Sequence, residues 1–160
     1  MEQIEIKEIV SFDVSVVEAV DRLLNQLVST SMTFTDEDLK GMLASASSQL
    51  FLVYVDGQAA GMLTLGHYAC PTGVKYWVED VVVDQAFRGR TLGRKLVDFA
   101  IHYVSHQGKS TLMLTSKPAR VAANHLYQKA GFQSKQTNVY KMDMDGEPIE
   151  TMKSEEGQSL

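Results

Sequence analysis

Two adjacent carboxylates, Glu79 and Asp80, interrupt the apolar run WVEDVVV at 77–83. A run this rich in valine is typical of a strand inside a sheet, where an acid is costly unless it is bonded or has a function. A partly buried carboxylate has a raised pKa and can accept a proton near neutral pH. The pair therefore indicates a site of proton transfer, or two acids that only satisfy local hydrogen bonds.

Glycines and cations follow this strand in the segment RGRTLGRK at 88–95. The first N–H groups of a helix lack helical partners, and the dipole adds roughly half a positive charge there. Gly89 and Gly93 allow a tight turn and a close backbone approach to a ligand. The cations that surround this turn are Arg88, Arg90, Arg94 and Lys95. The segment predicts a diphosphate site, and the alternative is a solvated basic turn that caps an ordinary helix.

Two other kinds of phosphate loop do not match this segment. A P-loop needs glycine followed directly by lysine and a hydroxyl residue, whereas here Gly93 is followed by Arg94 and Lys95. A dinucleotide fingerprint needs three glycines at a fixed spacing, and RGRTLG has two. A small nucleotide-binding signalling domain is therefore disfavoured.

The elements before the acid pair predict a strand, two helices and an antiparallel meander. Ser15 and Glu18 resemble a capping box at the start of the first helix. The sequence DGQ at 56–58 is typical of a hairpin turn. The predicted strands are 4–9, 49–55, 59–69 and 74–83, and the predicted helices are 16–27 and 36–43.

The second half predicts a helix at 91–106, a strand at 110–115, a helix at 119–130 and a closing strand at 138–144. A strand, helix and strand in this order imply a parallel crossover. We expect one domain over 1–144 and a polar tail over 145–160 that is loose or leans on a neighbour.

The composition restricts the class of protein. The chain has 160 residues, a net charge of -5 and one cysteine, which suits one cytoplasmic domain without a disulfide. The acidic balance disfavours nucleic-acid binding, and no apolar run is long enough to cross a membrane. The four histidines have no metal-ligand spacing, so no metal is predicted.

The segment VEDVVVDQAFRGRTLGRKLV resembles the central motif of the GNAT superfamily of acetyl-CoA-dependent N-acetyltransferases. That motif is Gln or Arg, two residues, Gly, one residue, then Gly or Ala. Here it falls on 88–93, and Thr91 departs from its first glycine, as in some members such as the glucosamine-6-phosphate N-acetyltransferases. LYQKAGF at 126–132 is similar to the usual end of the family's last helix, and the element order agrees over 4–144.

The resemblance implies an α+β fold with a mostly antiparallel mixed sheet of six to seven strands, about four helices, and a gap between the fourth and fifth strands. The pantetheine arm of acetyl-CoA would lie in that gap and pair with the backbone over Val81, Val82 and Val83. The pyrophosphate would lie on the residues Arg88, Gly89, Arg90, Thr91, Leu92, Gly93 and Arg94.

The resemblance also assigns catalytic roles. Strict alternation places Trp77, Glu79, Val81 and Val83 on one face and Asp80 on the other. In many members a Glu at position 79 is the general base, while Asp80 is expected to be structural. Tyr127 matches the tyrosine that many members use to protonate the leaving sulfur, although a helical tyrosine is more often a core residue.

A second contact to the cofactor comes from the last helix. Arg120 and Asn124 lie one helical turn apart and share a face with Tyr127. Arg120 stands where the family has a cofactor-binding Asn, and either of the two could touch the pantetheine or a phosphate.

The acceptor is the open part of this prediction. The stretch VSTSMTFTDED at 28–38 should border the acceptor pocket and contains no Lys or Arg. Glu79 with Asp80 resembles the acid pair of the glucosamine-6-phosphate N-acetyltransferases, but the acids of this stretch favour a cationic amine, either a small molecule or a peptide amine, over a sugar phosphate. The alternative is a non-catalytic acyl-CoA-binding module. Because many members of the family are dimers, the resemblance also allows a homodimer through the final strand or the tail.

Overall fold

The computed structural model describes residues 1–146. One five-stranded sheet has the order β1 (Ile4–Glu8), β2 (Ser48–Val55), β3 (Gln58–Cys70), β4 (Gly73–Val83) and β5 (Thr111–Met113). The first four strands are antiparallel, and β4 and β5 are parallel. The predicted α+β class is confirmed, with five strands in place of six to seven.

Four helices cover the two faces of this sheet. They are α1 (Val14–Leu27), α2 (Asp36–Ala44), α3 (Leu92–Ser105) and α4 (Val121–Ala130). On one face α1 and α2 bury Leu23 and Leu39 against Leu52 and Met62. On the other face α3 and α4 pack on a second cluster around Phe51. The sheet therefore lies between two apolar layers, and each layer holds one side of β4.

Local sequence explains where the elements begin and turn. Asp56 and Gly57 have φ angles of 48° and 82°, the left-handed pair that a two-residue hairpin turn requires. Thr35 and Asp38 cap α2 reciprocally. The capping box predicted at Ser15 is wrong, because Asp13 is the N-cap of α1 and accepts from the Ser15 N–H at 2.8 Å.

The predicted strand at 138–144 is also wrong. These residues form neither strand nor helix, and Val139, Tyr140, Met142 and Met144 are 72% to 88% exposed. Apolar alternation alone does not make a strand, because a strand also needs the backbone groups of a neighbouring edge. Of the tail predicted at 145–160, residues 147–160 lie outside the described residues.

Two further observations concern the described part of the chain. None of its helices is long and apolar enough to cross a bilayer. Residues 1–146 also contain no group of three or more His, Cys, Asp or Glu side chains placed to hold a metal ion.

Candidate active site

A cleft opens where β4 and β5 separate. The two strands pair only from Lys75–Thr111 to Trp77–Met113. Beyond that point β4 continues to Val83 paired only with β3, while the chain after β5 leads to α4. The cleft between them has a volume of about 1120 Å³, and the predicted gap between the fourth and fifth strands is confirmed.

Four groups of residues are the main lining of the cleft. The exposed edge of β4 contributes 78–83, and the segment after β5 contributes 114–117. The mouth is formed by Arg88 and Gly93, and α4 contributes Arg120 and Tyr127 among others. The structure therefore brings the predicted base, the predicted acid and the predicted phosphate segment to one cleft.

A β-bulge at Asp80 changes which side chains share a face of β4. Thr64 pairs with Glu79 and Met62 with Val82, so Asp80 and Val81 together stand opposite a single residue of β3. Asp80 adopts a φ of 49°, a left-handed conformation that aspartate tolerates better than most residues.

The predicted alternation is wrong for this reason. Glu79 lies on the α1/α2 face together with Trp77 and Val82, since its partner Thr64 shares that face with Met62. Val78 and Val81 lie on the α3/α4 face. Because strands in a sheet alternate regularly only where no extra residue is inserted, Glu79 does not share a face with Val81 and Val83.

The bulge leaves the backbone of Val81 and Val83 directed into the cleft. The Asp84 N–H donates to the Ala60 carbonyl at 2.8 Å. The backbone N–H and C=O groups of Asp84 therefore face β3, and so do those of Val82, two residues earlier. Successive residues of an antiparallel strand direct their N–H and C=O groups to opposite sides. Val81 and Val83 therefore present theirs to the cleft, where the Arg88 Nε donates to the Val83 carbonyl at 3.4 Å. Such an edge can pair with an extended ligand as another strand would.

Glu79 has the electrostatic character of a base. Partial burial raises the pKa of its carboxyl above the usual value, and the charge of Asp80 raises it further. The side chains of Glu79 and Asp80 are both exposed in the open cleft. A carboxylate with a raised pKa is a stronger base, which suits Glu79 as the proton acceptor.

The loop at the mouth has the backbone of an anion site. It follows a 3₁₀ turn, Gln85–Phe87, and contains left-handed residues at Gly89 (φ 79°) and Thr91 (φ 60°). Thr91 is the N-cap of α3, yet its side chain makes no capping hydrogen bond. The first amides of α3 therefore remain available to an anion, and the helix dipole adds to the attraction.

The cations around this loop are not equivalent. Arg88 lines the cleft. Arg94 pairs with Asp98 one helical turn on, at 2.8 Å. Arg90 pairs with Glu2 and lies over the Phe87 ring at 5.3 Å. Of the three predicted arginines, the structure therefore places Arg88 against the cleft and engages the other two elsewhere.

Thr91 is strained where the related motif has glycine. A left-handed β-branched residue costs about 1–2 kcal/mol, and glycine loses about 0.5–1 kcal/mol more chain entropy on folding. We expect Thr91→Gly to raise the free energy of unfolding by roughly 1 kcal/mol in urea titrations. A loss of stability would show that the threonine side chain makes a compensating contact.

Tyr127 lies at the inner wall of the cleft. It is 8% exposed, and its ring packs edge-on against Phe132 at 6.1 Å. Burial raises the pKa of its phenol, and the charge of Arg120 lowers it in part. Since the reference pKa of about 10 already exceeds that of a thiol, about 8.5, full proton transfer to a free thiolate is uphill. Tyr127 therefore stays protonated and can donate a hydrogen bond to a developing negative charge.

Arg120 and Asn124 have different positions. Arg120 is the N-cap of α4 and lines the cleft. Asn124 is not among the residues that line it, and its side-chain amide donates to the Lys117 carbonyl at 3.0 Å. Asn124 thus fixes the turn that leads into α4, while Arg120 faces the ligand space.

Ser116 lines the same wall and was not anticipated from the sequence. Its hydroxyl is buried and, among residues 1–146, has no hydrogen-bond partner. A buried hydroxyl without a partner costs about 1–3 kcal/mol, which a ligand in the cleft can recover. Together with the open edge of β4 and the uncapped start of α3, it fits an extended polar ligand that ends in a diphosphate.

Asp84 was also not predicted from the sequence, and it connects α1 to the turn that precedes the loop at 88–93. Its buried carboxylate accepts from the Ala86 N–H at 2.9 Å and from the Arg22 Nε at 3.1 Å. Beside it the Gln85 N–H donates to the Gln26 side chain at 2.9 Å. An aspartate at the end of a strand often bonds the backbone two residues on, so the sequence did carry this signal.

Acid is expected to remove the contribution of Asp84. The Ala86 N–H, followed by Gln26 and Arg22, lowers the pKa of this carboxyl, so its stabilisation is complete above the unfolded value of about 3.9 and is lost as the pH falls through the lower folded value. Asp84→Asn should lose less stability between pH 5 and pH 3 than the parent chain in urea titrations. Equal losses would show that this carboxylate is not specially stabilised.

Comparison with known proteins agrees with this geometry. The profile of the acetyltransferase (GNAT) family matches residues 18–132. A putative acetyltransferase from Agrobacterium tumefaciens has a TM-score of 0.75 and 20% identity over 87% of this chain and 99% of that one. The glucosamine-6-phosphate N-acetyltransferase of Arabidopsis thaliana has a TM-score of 0.72 and 23% identity over 88% of this chain and 98% of that one.

A third solved structure is the aminoglycoside N-acetyltransferase AAC(6')-Iy in complex with a bisubstrate analogue, CoA-S-monomethyl-acetylneamine. It has a TM-score of 0.71 and 17% identity over 89% of this chain and 99% of that one. A search of curated proteins finds no significant match. The family profile covers more than half of the chain, and the chain belongs to the acetyltransferase (GNAT) family as an acetyl-CoA-dependent N-acetyltransferase.

Proposed function

We propose that this enzyme transfers the acetyl group of acetyl-CoA to a primary amine of a small cationic molecule, by direct attack while both substrates are bound. The observation that carries the proposal is that Glu79, the Val81 backbone and Tyr127 meet in one cleft whose mouth is the start of α3. A ternary complex suits this arrangement, because both reactants can lie between the separated strands.

Acetyl-CoA supplies the acetyl group as an activated thioester. Its pantetheine would pair with the free β4 edge over Val81, Val82 and Val83, and its pyrophosphate would lie on the loop from Arg88 to Gly93. Arg120 is the contact that we assign to α4, since it faces the cleft, and Asn124 positions the turn before it.

Three groups of the chain then act on the reacting atoms. Glu79 accepts the proton of the acceptor ammonium, directly or through water, because only the neutral amine is nucleophilic. The Val81 N–H, directed into the cleft, stabilises the negative charge that develops on the carbonyl oxygen. Tyr127 donates a hydrogen bond to the sulfur as the C–S bond breaks, and the departing thiolate takes up the proton that the adduct's nitrogen loses.

Charge supports a cationic acceptor. Glu79 and Asp80 lie at the cleft and form no ion pair of 4.0 Å or less with the described residues. Of the stretch 28–38 only Val28 lines the cleft, and Asp36, Glu37 and Asp38 form the first turn of α2, so the negative charge at the cleft comes from Glu79 and Asp80. An amine that arrives protonated is attracted to these acids, whereas an anionic acceptor is repelled.

The test is a panel of amines with acetyl-CoA, with release of free thiol as the readout. We expect thiol release to depend on the amine and acetylated amine to appear in equal amount by mass spectrometry. The competing function is a non-catalytic acyl-CoA-binding module. It would be indicated by calorimetric binding of acetyl-CoA with no thiol release under any amine.

A further inference from the structure

The open part of the α1/α2 face carries an aromatic shelf, formed by Trp77 and Tyr68, beside Glu79. The Trp77 Nε1 donates to the Tyr68 hydroxyl at 3.3 Å. Tyr68 is 51% exposed, and neither residue belongs to the cluster that α1 and α2 bury on this face. The two side chains thus form a fixed pair that the core does not use.

The register of the sheet places this shelf next to the proposed base. Trp77 and Glu79 are two residues apart on β4, before the bulge, so they share a face. At a rise of about 3.3 Å per residue their Cα atoms are roughly 6–7 Å apart. A molecule whose amine contacts Glu79 therefore reaches the Trp77 ring with its next few atoms.

The space over Gly66, beside the tryptophan, is open. Gly66 stands directly opposite Trp77 in the register, and a Cβ added to Gly66 would have no heavy atom within 4 Å. The Nε1 edge of Trp77 reaches Tyr68 on β3, and the space over Gly66 beside it is open. The next pair along the strands is Thr64 and Glu79, and Glu79 lines the cleft.

The chemistry of this corner suits an organic cation. The face of an indole ring attracts an ammonium group within about 6 Å of its centroid, more strongly than tyrosine or phenylalanine does. Glu79 and Asp80 add negative charge next to this ring, where β4 borders the cleft. Exposed aromatic rings beside carboxylates favour a positively charged molecule with an apolar stem.

Lys75 lies on the same face, directly opposite Tyr68. The pKa of the Cys70 thiol is lowered mainly by its hydrogen bond with Thr72 and to a smaller extent by the charge of Lys75. That charge therefore acts at the hairpin turn, on the side of the shelf away from Glu79. It limits how far a polycation can extend past Tyr68.

We propose that the Trp77–Tyr68 shelf binds a second cationic group of the acceptor, a few carbon atoms from the amine that is acetylated. The acceptor would then be a diamine or a larger polyamine, and a monoamine would be a poor substrate. This inference rests on the proposed function, which places the reacting amine at Glu79.

The shelf can be tested without turnover, because Trp77 is the only tryptophan of the chain. With the protein saturated by CoA, 1,4-diaminobutane should change the tryptophan emission in a saturable way. Butylamine and 4-aminobutanoate, which match its length but lack the second cation, should have no saturable effect at equal concentration. Equal responses to all three, or a response to protein concentration alone as expected of a contact between copies, would overturn the inference.

Kinetics supply the second readout. In the parent enzyme kcat/KM for 1,4-diaminobutane should exceed that for butylamine at least tenfold. Trp77→Ala should lower this ratio about tenfold, mainly through KM of the diamine, and Trp77→Phe should restore part of it. Tyr68→Leu, at an exposed position where folding is less at risk, should lower the ratio in the same direction. Unchanged ratios in all three variants would overturn the shelf as a specificity site.

The two proposals fail in different ways. Turnover with equal kcat/KM for the diamine and the monoamine refutes the shelf and leaves the N-acetyltransferase proposal intact. A saturable Trp77 response to the diamine without acetylation of any amine supports the shelf and refutes the proposed reaction.

Discussion

Glu79→Gln should lower kcat about 100- to 1000-fold at pH 7, with acetyl-CoA affinity changed less than twofold. The amide has nearly the shape of the carboxylate but cannot accept a proton from the acceptor amine. Glu79 is exposed enough on the cleft surface that the substitution leaves no uncompensated buried charge. The measurement is steady-state thiol release together with a calorimetric titration of acetyl-CoA.

Asp80→Asn is the matched control. The neighbouring carboxylate stands at the left-handed bulge position, φ 49°, and asparagine tolerates that conformation as well as aspartate does. Its kcat should fall less than tenfold if Glu79 alone accepts the proton. A larger loss in Asp80→Asn than in Glu79→Gln would transfer the role of base to Asp80.

The pH profile separates the two acids further. The base must be ionised, so kcat/KM should rise as the pH increases through the pKa of Glu79, which burial and then Asp80 raise above the usual value. Asp80→Asn removes the second cause, and the acidic limb should move to lower pH. Glu79→Gln should lack this limb, and its persistence there would assign the limb to another group.

Tyr127→Phe should lower kcat about 10- to 100-fold while the free energy of unfolding changes by less than about 1 kcal/mol. The ring is 8% exposed and packs on Phe132, and phenylalanine keeps that packing. What is lost is the hydroxyl that donates to the departing sulfur. The measurement is kcat with the same amine, accompanied by urea unfolding.

Tyr103→Phe provides the comparison for this variant. Tyr103 lies on α3, packs against Phe51 at 5.2 Å and does not line the cleft. Its kcat should stay within twofold of the parent value. If both tyrosine variants lose the same activity, the effect of Tyr127→Phe reflects core packing rather than chemistry.

Short-range patterns predicted most of the fold. Asp56 and Gly57 fix the first hairpin through their own left-handed preferences, and Gly131 ends α4 at a φ of 110°. The loop at 88–93 was predicted as an anion site for the same reason, because glycines and cations at a helix start carry their chemistry locally. The predicted gap between the fourth and fifth strands came from the family resemblance and is confirmed.

The errors arose where distant parts of the chain decide the outcome. The bulge at Asp80 depends on how β4 aligns with Thr64 and Met62, and strict alternation along β4 cannot show it. The strand predicted at 138–144 needs a neighbouring edge that local periodicity does not specify. The hydrogen bond from Arg22 to Asp84 joins residues 62 positions apart, so only the folded chain shows that α1 supports the segment before the loop at 88–93.

The central claim is that the uncapped amides at the start of α3 and Arg88 bind the diphosphate of acetyl-CoA and so place its thioester beside Glu79. Calorimetric titration with acetyl-CoA and with acetyl-pantetheine, which has the same arm and thioester but no diphosphate, tests it directly. Charge-assisted hydrogen bonds contribute about 1.5–3 kcal/mol each, so acetyl-CoA should bind at least about 100-fold more tightly. Equal affinities for the two compounds, in a folded sample, would contradict the account.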